Sequence, residues 1–391
     1  MKTQVEMMDF KAQYAALQPE LEAAVAAVLA SGRYINGPEV GLFAQNLANY
    51  LQIPHVIPCA NGTDALQIAL MALGLRPGDE VIVPAFTYVA TAEVVGLLGL
   101  TPVMVDVNPL NFNIDIVALE RAYSHKTKAI VPVHLFGLCA DMAPILSWAR
   151  AHGVYVVEDA AQALGARYLP ALSKNMPSAL SECNLPNAQH EQKGLYAGTI
   201  GDIGCTSFFP TKPLGCFGDG GALFTHNAEL AARIKMIANH GQREKYRHEV
   251  LGCNSRLDTL QAAILNVKLK YIDSDAASRR LWVQAYREAI EGLPGLILPA
   301  EMGYSTHVYH QFTLRILNGK RDAVQAALAA QGMASVVYYP LALHQQKAFK
   351  DLGRIPSSLK VSEQLCQEVL SLPMNPAVDF SKLRDWVKNA L

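Results

Sequence analysis

Lys212 stands in the run Thr206-Ser207-Phe208-Phe209-Pro210-Thr211-Lys212-Pro213-Leu214-Gly215, between an aromatic pair and a glycine-rich stretch. Solvated lysines usually come in mixed-charge stretches, and this one lies where a strand should end inside a sheet. An amine in such a place is a candidate for Schiff-base chemistry with a carbonyl group. Asp159 closes the apolar run Val154-Tyr155-Val156-Val157, at the carboxyl end where open sheets bind their ligands. An acidic residue there also serves as a helix cap. Gly62-Thr63-Asp64 lies at a strand-to-helix turn, where free backbone N–H groups and the helix field favour a phosphate. An ordinary N-cap accounts for the same three residues.

A phosphate cradle, a buried carboxylate and a lysine amine together fit pyridoxal 5′-phosphate. The carboxylate keeps the pyridine nitrogen protonated, and the lysine carries the cofactor and moves the proton. On these residues alone, a nucleotide-binding α/β enzyme stands level with that reading. An NAD-type dehydrogenase is disfavoured, because no GxGxxG follows the first strand.

The elements that must position these groups follow from periodicity. Val56–Cys59, Glu80–Val83, Pro102–Val107, Ala129–Val133 and Val154–Val157 read as short strands. Between them come helical stretches that open at Asn61 and run through Leu73, then Ala90–Leu98, Ile114–Tyr123 and Met142–His152. Short β-rich runs alternating with helices predict a mostly parallel sheet covered on both faces. Pro19–Ser31 predicts an earlier helix, with proline near its start and Gly32 past its end. After residue 165 the alternation breaks, which argues against a barrel. Residues 168–197 carry prolines among Ser, Asn, Gln and Glu without a period, and read as a long loop or a substrate-contacting insert. Strands at Cys205–Phe209 and Ala222–Thr225 follow, then long helices at Leu257–Lys270 and Ser278–Ile290. Strands at Gln311–Ile316 and Ala334–Tyr339, around a helix at Arg321–Ala330, predict a smaller α+β domain. The division expected is a large α/β domain over 1–255, with the insert at 168–197, and a linking and C-terminal part over 256–391.

The totals set the class. The 391 residues supply a large core, and 33 Lys and Arg balance 34 Asp and Glu. Nothing in that balance points to nucleic acid or an acidic membrane. The longest apolar runs fall far short of the roughly 20 residues that cross a bilayer. Seven cysteines without CxxC spacing read as the reduced thiols of a cytoplasmic protein, and the eleven histidines form no compact metal motif.

An ordered series of motifs narrows the reading: Asn61-Gly62-Thr63-Asp64-Ala65-Leu66, Pro84-Ala85-Phe86-Thr87-Tyr88, Val133-His134-Leu135-Phe136-Gly137 and Glu158-Asp159-Ala160-Ala161-Gln162. Ser207-Phe208-Phe209-Pro210-Thr211-Lys212, Gly218-Asp219-Gly220-Gly221 and Gly252-Cys253-Asn254-Ser255-Arg256-Leu257-Asp258 complete it. With this series the chain resembles the DegT/DnrJ/EryC1/StrS sugar aminotransferases, from Asp9-Phe10 to the C-terminus apart from the insert. The resemblance implies the aspartate-aminotransferase-like fold (fold type I) with pyridoxal 5′-phosphate as cofactor. It makes Lys212 the Schiff-base lysine, Asp159 the partner of the pyridine nitrogen, and Gln162 the residue facing the phenolic oxygen. Tyr88 stacks on the ring, while Gly62, Thr63 and the Ser207 hydroxyl hold the phosphate. Asn254 reaches the phosphate in a neighbouring subunit, which implies a homodimer with shared active sites. Some relatives are dehydratases with histidine in place of the lysine, a branch that Lys212 opposes. Where the family commonly has Asn after the lysine, this chain has Pro213. That change is expected to alter the loop and spare the chemistry.

By the same resemblance the reaction is transamination from L-glutamate to a nucleotide-linked ketosugar. Tyr309-His310-Gln311-Phe312-Thr313 and His240-Gly241-Gln242-Arg243-Glu244-Lys245-Tyr246 are most similar to enzymes aminating C3 of UDP-2-acetamido-2-deoxy-3-oxo-glucuronate, a precursor of O-antigen sugars. Arg243, Arg256, His310 and Gln311 are the candidate substrate contacts, with Lys245 and Arg247 as further basic groups. A dTDP- or UDP-linked 3- or 4-ketosugar is the alternative substrate. A non-catalytic regulatory or sensor protein on the same fold is the alternative of another class.

Overall fold

The computed structural model describes residues 4–170 and 194–391. Most of the expected insert at 168–197 thus lies outside the described residues. Helices α1 (Phe10–Ser31) and α2 (Pro38–Leu51) lead into β1 (His55–Cys59), α3 (Gly62–Ala72), β2 (Glu80–Pro84), α4 (Ala90–Leu97) and β3 (Thr101–Val105). Then follow α5 (Ile116–Ala122), β4 (Thr127–Ile130), α6 (Met142–His152), β5 (Tyr155–Asp159), β6 (Arg167–Tyr168), β7 (Leu195–Tyr196), β8 (Ile203–Ser207) and β9 (Gly221–Thr225).

Seven strands form one sheet in the order β1-β9-β8-β5-β4-β2-β3. β9 alone runs against its neighbours; the pairs β5–β8, β4–β5, β2–β4 and β2–β3 are parallel. Helices cover both faces, so the strands read as continuous apolar runs rather than alternating ones. In β2, Val81 and Val83 pack on one side with Ala65 of α3 and Val94 of α4. Ile82 faces the other way, among Leu119 of α5 and Ile145 of α6. The expected mostly parallel α/β architecture is therefore present, with β9 as the antiparallel exception.

Beyond β9 come α7 (Ala228–Ile237), the exposed ribbon β10 (Gln242–Glu244) and β11 (Arg247–His248), α8 (Thr259–Lys268) and α9 (Ile272–Ile290). A short 3-10 turn at Leu269–Tyr271 joins the last two, so the second long helix starts earlier than its sequence pattern indicates. A three-stranded antiparallel sheet, β12 (Leu296–Ile297), β13 (Phe312–Ile316) and β14 (Val369–Leu372), then packs with α9, α10 (Arg321–Ala330) and α12 (Phe380–Lys388). Helix α11 (Lys360–Glu368) leads directly into β14.

Two expectations need correction. The first helix begins at Phe10, and Pro19 lies inside it. Asp9 caps the N-terminus by accepting from Ala12 N–H at 2.8 Å, and Leu21 packs on Ile264 and Val267 of α8 with Leu17, Ala24 and Val25 beside it. Capping and packing outweigh the bond that the proline cannot donate. Ala334–Tyr339 is not a strand. Ala334 N–H donates to the Val5 carbonyl, Val336 exchanges two backbone bonds with Ser371 of β14, and the chain then turns away to carry Tyr338 and Tyr339 into a cavity.

Tyr286 of α9 locks the smaller sheet to its helices. It is fully buried, stacks on Phe312 at 4.5 Å, and donates its hydroxyl to the Pro373 carbonyl at 2.7 Å. Tyr286→Ala should lower unfolding stability by on the order of 3–5 kcal/mol, measured as a reduced denaturant midpoint with an unchanged slope.

Candidate active site

The carboxyl ends of the parallel strands converge on a cavity of about 600 Å³. After β2 the chain brings Thr87 and Tyr88 to it; the end of β5 brings Asp159; Ser207 ends β8 and Lys212 follows. At the N-terminus of α3, the Asn61 side chain caps the helix by accepting from Asp64 N–H at 2.8 Å. Gly62 and Thr63 are thereby left at the cavity wall. A Cβ added to Gly62 would lie 2.7 Å from Ser207 Cβ, and one on Gly221 would lie 2.4 Å from the Asn61 carbonyl. Only glycines allow the helix terminus to approach Ser207 this closely, so backbone donors and a hydroxyl share one small concavity.

Lys212 is half-buried in the wall of the same cavity. Burial lowers its ammonium from 10.5 to about 8, with the Asp159 charge pulling the other way. The loop closes through Lys212 N–H to Phe209 C=O at 2.8 Å and Cys216 N–H to Phe208 C=O at 2.8 Å, neither of which uses residue 213.

Asp159 is buried and accepts from the Thr91 hydroxyl at 2.9 Å and Ala161 N–H at 3.2 Å. Behind it, Glu158 has no exposure and takes N–H donors from Gly198, Ile200 and Gly201 at 3.0, 2.6 and 2.6 Å. Because Ala140 N–H donates to His134 Nδ1, the Nε2–H of His134 is the donor to Glu158 at 2.8 Å. Gln162 is oriented in the same way. Phe136 N–H donates to its Oε1 at 2.8 Å, so the amide nitrogen is the end that reaches the Tyr339 hydroxyl, at 3.1 Å.

His310 and Gln311 also line the cavity. The His310 imidazole is pushed well below its ordinary value, first by burial and then by the charges of Lys212 and Arg279. Its Nδ1 has no partner among the described residues. Arg279 Nη1 donates to the Tyr309 and His310 carbonyls at 3.2 and 3.4 Å. Tyr88 is 55% exposed at the mouth, its ring 6.3 Å from that of Tyr339.

Nine sequence-predicted residues thus meet here: Gly62, Thr63, Tyr88, Asp159, Gln162, Ser207, Lys212, His310 and Gln311. Three do not line this chain's cavity. Arg243 is exposed on the β10–β11 ribbon and pairs with Glu249 at 3.6 Å. Asn254 is exposed in a bridge to Asn239, and Arg256 is half-buried beside it. Lys245 and Arg247 lie on the same exposed ribbon, Arg247 paired with Glu244 at 3.1 Å. Sequence reasoning passed over Thr91, Asp219, Tyr338 and Tyr339, all but Thr91 at the cavity wall. Thr91, in the first turn of α4, carried no signal of its own in the sequence.

A model described as the DegT/DnrJ/EryC1/StrS aminotransferase family matches residues 16–389. The chain belongs to this family. The UDP-2-acetamido-2-deoxy-3-oxo-D-glucuronate aminotransferase of Pseudomonas aeruginosa is 43% identical, over 97% of this chain and 98% of its own length. A relative from Geobacillus stearothermophilus called a pleiotropic regulatory protein is also 43% identical, over 95% of this chain and 94% of its own. Among solved structures, S. venezuelae DesV in complex with a ketimine intermediate superposes with a TM-score of 0.88 at 39% identity, covering 99% of this chain and 98% of DesV. Bacillus subtilis NtdA with bound cofactor PMP superposes at 0.80 and 30% identity, covering 98% of this chain and 82% of NtdA. As a member of the DegT/DnrJ/EryC1/StrS family, the chain is a pyridoxal 5′-phosphate-dependent sugar aminotransferase. The close-set Gly62–Ser207 concavity, the buried carboxylate and the amine fit that cofactor in charge and in spacing.

Lys212 offers a direct measurement. In cofactor-free protein, pH-dependent competitive labelling of its amine should show a midpoint near 8, unreactive below it and reactive above. Asp159→Asn removes the charge that favours the ammonium, so the midpoint should move lower still.

Proposed function

We propose that this enzyme transfers an amino group from L-glutamate to C3 of UDP-2-acetamido-2-deoxy-3-oxo-glucuronate, in the cytoplasm, to make precursors of O-antigen sugars. The observation that carries the amine chemistry is Lys212, its ammonium held near 8, in one cavity with the buried Asp159. The sugar assignment rests on the Pseudomonas aeruginosa relative, similar over nearly the full length of both chains.

Bound in this cavity, pyridoxal phosphate supplies an electron sink for cleavage at the donor's Cα. The protein's own groups do the rest. The N–H groups of Gly62 and Thr63 and the Ser207 hydroxyl hold the phosphate at the positive end of α3. The Asp159 carboxylate, fixed by Thr91, keeps a proton on the pyridine nitrogen. Tyr88 would cover one face of the ring, and the Gln162 amide nitrogen would donate to the phenolic oxygen. Lys212 would anchor the cofactor and, as the free amine, would move a proton, the form that a value near 8 makes accessible at neutral pH. His310 and Gln311 contact the sugar or nucleotide. Arg243, Arg256 and Asn254 lie outside this chain's cavity, which supports a homodimer whose active sites are shared, with these residues serving the neighbouring site.

Two experiments test this reading. Lys212→Ala should abolish the borohydride-trapped cofactor adduct that the wild-type protein forms; no adduct in reconstituted wild type would refute the lysine assignment. Single-turnover assays of the pyridoxamine-loaded enzyme should show faster amination of the UDP-linked 3-oxo-glucuronate derivative than of UDP- or dTDP-linked 4-keto compounds. Equal or faster reaction with the 4-keto compounds would move the assignment to that substrate class.

A further inference from the structure

Tyr339 is the one group hydrogen-bonded to Gln162 that no role above accounts for. It lines the cavity, with its ring packed against Phe86 at 6.0 Å and Tyr88 at 6.3 Å between centroids. The direction of its hydrogen bond is settled by chemistry on the far side of Gln162. Because Phe136 N–H occupies Oε1, the Gln162 amide nitrogen must donate, and the Tyr339 oxygen must accept. That use of a lone pair leaves the phenol's own proton uncommitted, and it finds no acceptor among the described residues. Gln162 likewise has a second amide N–H, since one nitrogen carries two donors. Two donors thus sit 3.1 Å apart, oxygen to nitrogen, on one wall of the cavity.

We propose that Tyr339 is a second hydrogen-bond donor which, with the Gln162 amide, forms a two-point cradle for an oxyanion, the phenolic oxygen of the bound pyridoxal cofactor. This rests on the reading of Gln162 given under the proposed function. The charges facing the phenol favour a donor over a base. Burial pushes its proton affinity up, the Gln162 hydrogen bond pulls the other way, and the nearby Asp159, Tyr338 and Tyr88 add to the rise, so the hydroxyl keeps its proton throughout the physiological range. A neutral phenol beside a carboxylate can only give a hydrogen bond to an anion; it cannot take the proton away.

The effect of such a donor is electronic. A hydrogen bond to the phenolic oxyanion withdraws negative charge from it. The linked nitrogen of Lys212 then loses part of the attraction that holds its proton. The groups around that nitrogen are Lys212's own neighbours Asp159 and His310, and neither bonds to Tyr339. Removing the phenol hydroxyl should therefore raise the pH at which the lysine-linked cofactor loses its proton, while leaving the phosphate and ring contacts in place.

The test is a spectroscopic pH titration of the reconstituted holoenzyme, following the visible band of the protonated lysine-linked cofactor. Tyr339→Phe keeps the ring and removes the donor, and its band should persist with a midpoint raised by about half to one pH unit, or about 3- to 10-fold in proton affinity. Site-specific 3-fluorotyrosine at 339 makes the phenol a stronger donor and should move the midpoint the other way. A role in packing alone would not give shifts of opposite sign. An unmoved midpoint in either protein, or loss of cofactor loading in Tyr339→Phe while wild type loads, would overturn the proposal. Borohydride trapping at Lys212 in wild type is scored separately: its failure refutes the cofactor reading, whereas trapping with an unmoved midpoint refutes the Tyr339 cradle alone.

Discussion

The site depends on a single fully buried carboxylate. Glu158 accepts three backbone N–H groups from the segment entering β8 and a fourth hydrogen bond from His134, so it ties the end of β5 to two neighbouring segments. Burying a carboxylate is costly unless every lone pair is used, and here it is surrounded by donors. Asp159 is the next residue along the same strand. Successive strand residues point to opposite faces, so the residue that braces the scaffold turns the following one towards the cavity. Position and rigidity of the chemistry come from that alternation.

The parallel register extends the constraint. Asp159 pairs with Cys205 on β8, two residues before Ser207, which brings the strand-end carboxylate, the hydroxyl and the lysine loop side by side. α3 then delivers its N-terminus to Ser207, a contact that any side chain at position 62 would block. Charge placement follows from burial: the same enclosure that holds Asp159 also strips solvent from Lys212 and lowers its proton affinity.

Much of this was legible in the sequence because the site is built from strand ends and helix starts, which punctuate the pattern strongly. Met142–His152 and Arg321–Ala330 match the helices α6 and α10 residue for residue. What escaped had physical reasons. The start of α1 depends on the Asp9 cap and on packing against α8, 230 or more residues away in sequence, and an internal proline masked it. β14 pairs with β13 across more than fifty residues, and Val336 offered a more local but wrong partner segment. Tyr339 was invisible as a site residue because its importance lies in the direction of a hydrogen bond fixed by Phe136, far from it in sequence.

The short antiparallel pair β6–β7, Arg167 opposite Tyr196 and Tyr168 opposite Leu195, ties together the chain on either side of residues 171–193. Tyr168 is buried and donates its hydroxyl to Asp141 at 2.6 Å, so the anchor belongs to the scaffold. Once two ends are pinned, doubling the chain between them costs only about 0.6 kcal/mol in closure entropy. The fold therefore has a port at which chain length can change without disturbing Glu158, Asp159 or Lys212. Diversity can accumulate there at almost no thermodynamic penalty to the enzyme that carries it.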